Sequence, residues 1–202
     1  MTTEDSESPS RSSFSSPRKV LLLVDVQVYV LADPPEGVPN APLVKRNIEQ
    51  ILHTARSSQT PPRIIHIRNN GDVGDPDQPG TNGWQLALPT MQNEYIIDKL
   101  KNNAFAGTTL GSLVPETSDL VVVGMQSDFC IRATCSAALG RGNNVLLVEG
   151  AHATYDRPED FSSGGPAIIT PAARVEREIE SELEEAGVVL IKMDDLPHLF
   201  TD

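Results

Sequence analysis

The chain has 202 residues, a formal net charge of −12 and two cysteines, Cys130 and Cys135. That length suits one domain with a full apolar core, and the acidic balance argues against nucleic acid or an anionic membrane as a partner. With both cysteines on one predicted helix no disulfide framework is available. No run of about 18 apolar residues spans a bilayer, and the N-terminus lacks the apolar core of a secretory signal, so the expected setting is cytoplasmic.

Residues 1–17 are rich in Ser, Thr, Pro and acidic side chains, too polar to offset the entropy of ordering, and read as a disordered tail. Residues 18–202 read as the folded domain. Val20 to Val28 is nearly continuously apolar, which predicts a central strand buried on both faces; Asp25 and Gln27 interrupt it near its C-terminal end. A Pro-rich loop comes next, Tyr29 to Pro42. Asn40 is placed to cap a helix to about Ser58, with Leu43, Val44, Ile48, Ile51 and Leu52 on one face. Arg63 to Arg68 reads as a second strand. Asn69 to Asn93 is a long Gly, Pro, Asn and Asp segment around Trp84, and loops of that length inside a domain are often functional.

Glu94 to Asp98 predicts a short strand that delivers Lys99, and Thr108 to Leu113 a short helix. Val121 to Val123 is a buried strand closed by Gly124. A small polar turn and a helix from Ile131 to Arg141 come after it, so Cys130 falls where the turn enters the helix. Asn143 to Val148, a helix from Thr170-Pro171 to Gly187, a strand from Val188 to Lys192 and a turn from Leu196 to Phe200 complete the chain. Strands alternating with helices predict a three-layer αβα fold, doubly wound around a mainly parallel six-stranded sheet.

Ligands of such sheets bind beyond the carboxyl ends of the strands. Asp25, Lys99 and Cys130 all sit at or just after predicted strand ends, so they can converge. Singly, each has a plain structural reading: a buried thiol, a solvated strand-end lysine, a carboxylate in a structural hydrogen bond. Together they suit nucleophilic chemistry. A thiol at a helix start beside a lysine loses its proton more readily, a carboxylate can take that proton, and its acid form can protonate a departing amine. Backbone N–H groups at the turn would stabilise the tetrahedral oxyanion. The outcome of that logic is amide hydrolysis through a thioester.

Asp25-Val26-Gln27, Asp98-Lys99, Asn103-Ala104-Phe105-Ala106-Gly107-Thr108, the run from Gly124 to Thr134 and Ala151-His152-Ala153-Thr154-Tyr155-Asp156 occur in one order along the chain. In that combination the chain resembles the isochorismatase-like cysteine hydrolases. The resemblance implies an Asp25, Lys99, Cys130 triad and a cis peptide between Met125 and Gln126, with the backbone amides of Gln126 and Cys130 forming the oxyanion hole. It also implies Tyr29, Trp84 and Phe105 around the substrate, with Gln27 of the first motif and His152 at the rim. A homo-oligomer, dimer or tetramer, is implied as well, acting on a small molecule without a cofactor.

Nicotinamidases of the same family carry an Asp-x-His pair and a further His that bind a metal. The run Asn69-Asn70-Gly71-Asp72 and the rest of the loop to Asn93 have no histidine, so no catalytic metal is expected, and Asp72, Asp75 and Asp77 read as turn formers. An aromatic often found five residues after the triad aspartate is Val30 here. Some isochorismatases cleave a vinyl ether without a thiol, and Cys130 tilts the reading toward an amide, imide or ureido substrate. The alternatives are an isochorismatase proper, with Asp25 as acid, and a binding protein without turnover on the same fold.

Overall fold

The computed structural model describes residues 19–159 and 168–201. The disorder expected over residues 1–17 falls outside them. In chain order the main elements are β1 (Lys19–Val24), α1 (Ala41–Ser57), β2 (Arg63–Asn69), β3 (Tyr95–Lys99), α2 (Leu110–Leu113), β4 (Asp119–Met125), α3 (Arg132–Arg141), β5 (Asn144–Ala153), β6 (Arg157–Glu159), β7 (Ile168–Thr170), α4 (Ala172–Ala186), β8 (Val189–Ile191) and α5 (Leu196–Leu199).

Successive residues of a strand face opposite sides, so an unbroken apolar strand must be covered twice. In β1, Leu21 and Leu23 join an apolar cluster with Val44, Ile48, Ile51 and Leu52 of α1. Val20, Leu22 and Val24 join a second cluster, with Cys135 and Ala138 of α3 and Val175, Ile179 and Leu183 of α4. Each fully buried Leu or Ile contributes roughly 1.5–3 kcal/mol relative to exposure, so the two clusters carry the domain.

The sheet has six strands in the order β3-β2-β1-β4-β5-β8, and every neighbouring pair is parallel. The order reverses between β1 and β4, and that switch point opens the crevice where such sheets bind ligands. Short β6 and β7 form a separate antiparallel pair that the sequence pattern had not signalled.

Two departures from the sequence reading matter for function. β1 stops at Val24 rather than Val28, because Asp25 adopts a left-handed φ of 52° and turns the chain out of the ladder. Residues 26–28 then pair with the long loop instead: the Ala87 N–H donates to Val26 O and the Val28 N–H to Gln85 O, both at 2.9 Å. The loop is thus tied back onto the end of β1. β5 runs on to Ala153 rather than ending at Val148. Leu147 pairs with Val122 and His152 with Gly124, so the strand bulges over the residues between.

Gly124 sits opposite Val24 at the switch point. Its φ is 123°, and a Cβ there would overlap the Val24 carbonyl. Only glycine meets both conditions. Gly124→Ala is expected to cost about 3 kcal/mol of unfolding free energy, read from guanidinium denaturation; a loss under about 0.5 kcal/mol, as at an ordinary surface position, would contradict this packing.

Candidate active site

Three strand ends meet above the switch point. Asp25 comes directly after β1, with its N–H donating to Ile67 O at 2.9 Å. Asp tolerates left-handed backbone better than most residues, which suits it to leave the strand while staying 3% exposed. Lys99 is the last residue of β3, and its side chain crosses the end of β2 to reach Asp25. Cys130 lies in one wide turn, Ser127–Ile131, that links β4 to α3. The Ile131 N–H closes that turn onto Gln126 O at 3.1 Å, and the Met125–Gln126 peptide is cis.

Lys99 is the hub. Its Nζ lies 2.8 Å from Asp25 Oδ2, donates to Asn69 Oδ1 at 3.0 Å and donates to Cys130 Sγ at 3.2 Å. An ammonium has three hydrogens, and each has one acceptor here. At 2% exposure such a charge is tolerated only because those acceptors replace water.

Burial pulls the Lys99 ammonium down, but Asp25 and then Cys130 outweigh it and hold it above the ordinary lysine value. Burial raises the Asp25 carboxyl, and the charge and hydrogen bond of Lys99 offset only part of that. The Cys130 thiol is pushed up to about 12, first by burial and then by Asp25, against the smaller pull of Lys99. This corrects the expectation of a readily ionised thiol at a helix start. Cys130 precedes α3 in a buried turn beside a carboxylate, and desolvation dominates. Burial thus holds the Cys130 thiol to its proton more tightly than a free cysteine and leaves Asp25 more basic than an ordinary carboxylate.

A cavity of about 220 Å³ opens over these groups, lined by Asp25, Tyr29, Asn69, Asn102 and Cys130 together with Val30, Met125, Gln126 and Phe129. Asp25 Oδ1 has no hydrogen-bond partner among the described residues. Val30, five residues after Asp25, lines the cavity. The sequence reading missed Asn69 and Asn102. Asn69 is the last residue of β2, and the rule that ligands gather at strand ends could have found it; Asn102 gave no signal beyond its nearness to Lys99.

Of the five substrate contacts expected from the sequence, Tyr29 lines the cavity and four lie outside its lining. Gln27 is fully buried and is held by backbone: its Nε2 donates to Asn69 O and Trp84 O, both at 3.1 Å, and its Oε1 accepts the Asn69 N–H at 2.9 Å. It is a clamp between β2 and the long loop. Trp84 lies under the Arg68 guanidinium, 3.4 Å from its ring centre, and its indole N–H donates to Asn70 Oδ1 at 2.7 Å. Phe105 lies under Arg141, 4.8 Å from guanidinium carbon to ring centre. His152 stands behind the turn that carries Cys130. Its Nδ1 is 2.9 Å from Ser127 Oγ, and its Nε2 is 3.1 Å from Glu180 Oε1 but outside hydrogen-bonding geometry. His66 is paired with Glu94 at 2.8 Å, which Arg56 also holds. Among the described residues no group of three or more His, Cys, Asp or Glu is arranged to hold a metal ion.

A doubly wound parallel sheet with a buried carboxylate, ammonium and thiol at its switch point has the make-up of a cysteine hydrolase. The chain belongs to the isochorismatase family: the family's sequence profile, described as the isochorismatase domain, matches residues 19–163. It is 37% identical over 178 residues to a streptothricin hydrolase of Streptomyces noursei, a match covering 86% of this chain and 68% of that one. A second protein of that name from the same organism is 36% identical over 161 residues, and the chain spans only 57% of its length. Among solved structures, an isochorismatase from Pseudomonas putida superposes with a TM-score of 0.75 at 27% identity, over 88% of this chain and 89% of the other. A cysteine hydrolase from Pseudomonas syringae pv. phaseolicola shares the fold, with a TM-score of 0.76 at 20% identity over 96% and 97% of the two chains.

A thiol raised to about 12 has a thiolate fraction that keeps growing well past pH 9. Alkylation of Cys130 by iodoacetamide, read by mass spectrometry of its peptide, is expected to accelerate steadily up to at least about pH 10. Lys99→Met, which removes the donor to sulfur, is expected to slow it further. A plateau reached near pH 8.5, where an unperturbed thiol ionises, would contradict the burial argument.

Proposed function

We propose that this isochorismatase-family hydrolase cleaves a C–N bond of a small amide, imide or ureido compound through a thioester on Cys130. The observation that carries the proposal is the single ammonium of Lys99, shared between Asp25 and Cys130 beneath the cavity. Asp25, more basic than an ordinary carboxylate, takes the thiol proton as Sγ bonds to the substrate carbonyl carbon. Proton transfer within the attack removes the need for a standing thiolate, which reconciles a thiol raised to about 12 with a nucleophilic role.

The tetrahedral oxyanion is received by the backbone N–H groups of Gln126 and Cys130, each donor contributing roughly 3 kcal/mol. Collapse breaks the C–N bond, and the acid form of Asp25 gives its proton to the departing nitrogen. A water molecule, deprotonated by Asp25, then attacks the thioester; the carboxylic acid leaves and Cys130 regains its proton. Lys99 stays an ammonium throughout, with its three hydrogens directed at Asp25, Asn69 and the sulfur. The cavity of about 220 Å³ suits the reacting end of a substrate, with Tyr29 and Asn102 offering polar contacts. Streptothricin, on which a relative matched over 86% of this chain is named as acting, heads the compounds to test.

The raised Asp25 carboxyl also favours a second reading, in which Asp25 is a general acid that protonates a vinyl ether and no covalent intermediate forms. The two separate on one variant. With streptothricin, small amides, nicotinamide and isochorismate as substrates, Cys130→Ala is expected to abolish turnover and leave the fold intact by circular dichroism. Full activity of Cys130→Ala on the compound turned over best would overturn the thioester and favour the acid mechanism.

The sign of the pH dependence is set by the direction of the Asp25 shift. The base must be ionised, so kcat/KM is expected to fall as the solution is acidified, with a midpoint above the ordinary carboxylate value of about 4. Lys99→Met, where residual activity permits measurement, moves that midpoint higher still, because the charge that lowers it is gone. Asp25→Asn is expected to lower kcat by roughly 10²–10⁴-fold. A midpoint at or below about 4 would contradict Asp25 as the base.

A further inference from the structure

We propose that Asp77 is a positioning residue of this site: it turns the Asn69 amide so that its oxygen faces Lys99, and so fixes the ammonium between Asp25 and Cys130. The inference rests on the reading of Cys130, Lys99 and Asp25 as the reacting centre and adds a residue that touches none of the reacting atoms.

Asp77 lies in the long loop after β2 and is only 5% exposed. A buried carboxylate is costly unless something uses it, and turn formation does not require burial. Its neighbours in the loop show the contrast. Asp72 and Asp75 are exposed and close a turn on one another, the Asp75 N–H donating to Asp72 O and the Asp72 N–H to Asp75 Oδ2, both at 3.1 Å. Asp77 instead faces inward and accepts from Asn69 Nδ2 at 2.7 Å. Of the three acidic residues expected to form turns, Asp77 is the one that the structure places elsewhere.

That hydrogen bond settles which way the Asn69 side chain is turned. An amide has an acceptor end and a donor end. With Nδ2 on a carboxylate, Oδ1 is left for Lys99 Nζ, which it meets at 3.0 Å. The opposite rotamer would set an NH₂ group against the ammonium. The Asn69 backbone is fixed as well, because Gln27 grips both its N–H and its carbonyl. The only freedom left to Asn69 is rotation of its side chain, and Asp77 removes it.

The loop is built to admit this carboxylate. The Gly71 N–H donates to Asp77 O at 3.0 Å, and a Cβ at Gly71 would overlap Asp77 Oδ1. Asp77 to Asn69 to Lys99 is thus a chain of charge-assisted hydrogen bonds that ends on the donor to Cys130 Sγ.

The test reads the thiol directly and needs no substrate. Iodoacetamide alkylation of Cys130 is measured at about pH 9 in the full chain, with folding checked by circular dichroism. Asp77→Leu is expected to slow alkylation roughly tenfold, toward the rate of Lys99→Met, because the sulfur loses a well-placed donor. Asp77→Asn keeps an acceptor for Asn69 Nδ2 and is expected to stay within about twofold of the parent, a rescue that a loss of packing alone would not show. In an Asn69→Leu background, Asp77→Leu is expected to add no further loss, since the link is already gone. Should Asp77→Leu fail to fold, Gly71→Ala crowds the same carboxylate and must show the same slowing. Alkylation of Asp77→Leu, or of Gly71→Ala in its place, at the parental rate or faster overturns the proposal, as does an undiminished Asp77→Leu effect in the Asn69→Leu background. Neither result bears on whether Cys130→Ala abolishes turnover, so failure here and failure of the thioester reading are distinguishable.

Discussion

Lys99 places a positive charge almost out of reach of solvent, and a buried ammonium persists only where acceptors replace its hydration. Asp25 Oδ2, Asn69 Oδ1 and Cys130 Sγ supply them at 2.8, 3.0 and 3.2 Å. Because those acceptors come from the ends of β1, β2 and the turn after β4, one side chain on β3 fixes the spacing of the whole site. The same interaction sets its electrostatics. It keeps a carboxylate tolerable in a cavity that desolvates it, and it gives the sulfur a donor that favours charge there when the proton leaves.

The fold serves that geometry through a few local devices. The reversal of strand order between β1 and β4 opens the crevice, and Gly124 lets the two strands approach where a side chain would block them. The left-handed Asp25 stops β1 and frees the next residues to pair with the returning loop. Gln27 then pins that loop to β2 through three hydrogen bonds. The segment after β2, which composition describes as polar and irregular, is in this way hydrogen-bonded to the ends of β1 and β2 where it meets the site.

Much of this was legible in the chain. Apolar runs of strand length alternating with amphipathic helices imply the parallel sheet, and the anomaly of a carboxylate inside an apolar run marks Asp25. Lys99 and Cys130 are marked by their places at strand ends. What escaped was whatever depends on direction rather than position. Trp84 looked like a pocket residue because a lone aromatic in a polar loop is conspicuous, but its stacking on Arg68 is a contact between segments that spacing does not reveal. Gln27 stood in the right motif with its side chain turned to backbone. Asp77 looked like its neighbours Asp72 and Asp75, and only burial and the orientation of Asn69 set it apart. The helix-entry position of the Cys130 thiol suggests ready ionisation, whereas the wide turn buries it beside Asp25, and desolvation prevails over the pull of Lys99.

The proposed chemistry stands or falls on whether Cys130 carries the acyl group. Rapid acid quenching of the protein during turnover of streptothricin or another amide substrate, with mass spectrometry of the Cys130 peptide, tests it most directly. A transient mass increase equal to the acyl fragment is expected, on Cys130 and not on Cys135, that decays as substrate is exhausted. Sustained turnover with Cys130 unmodified at every time point would contradict it.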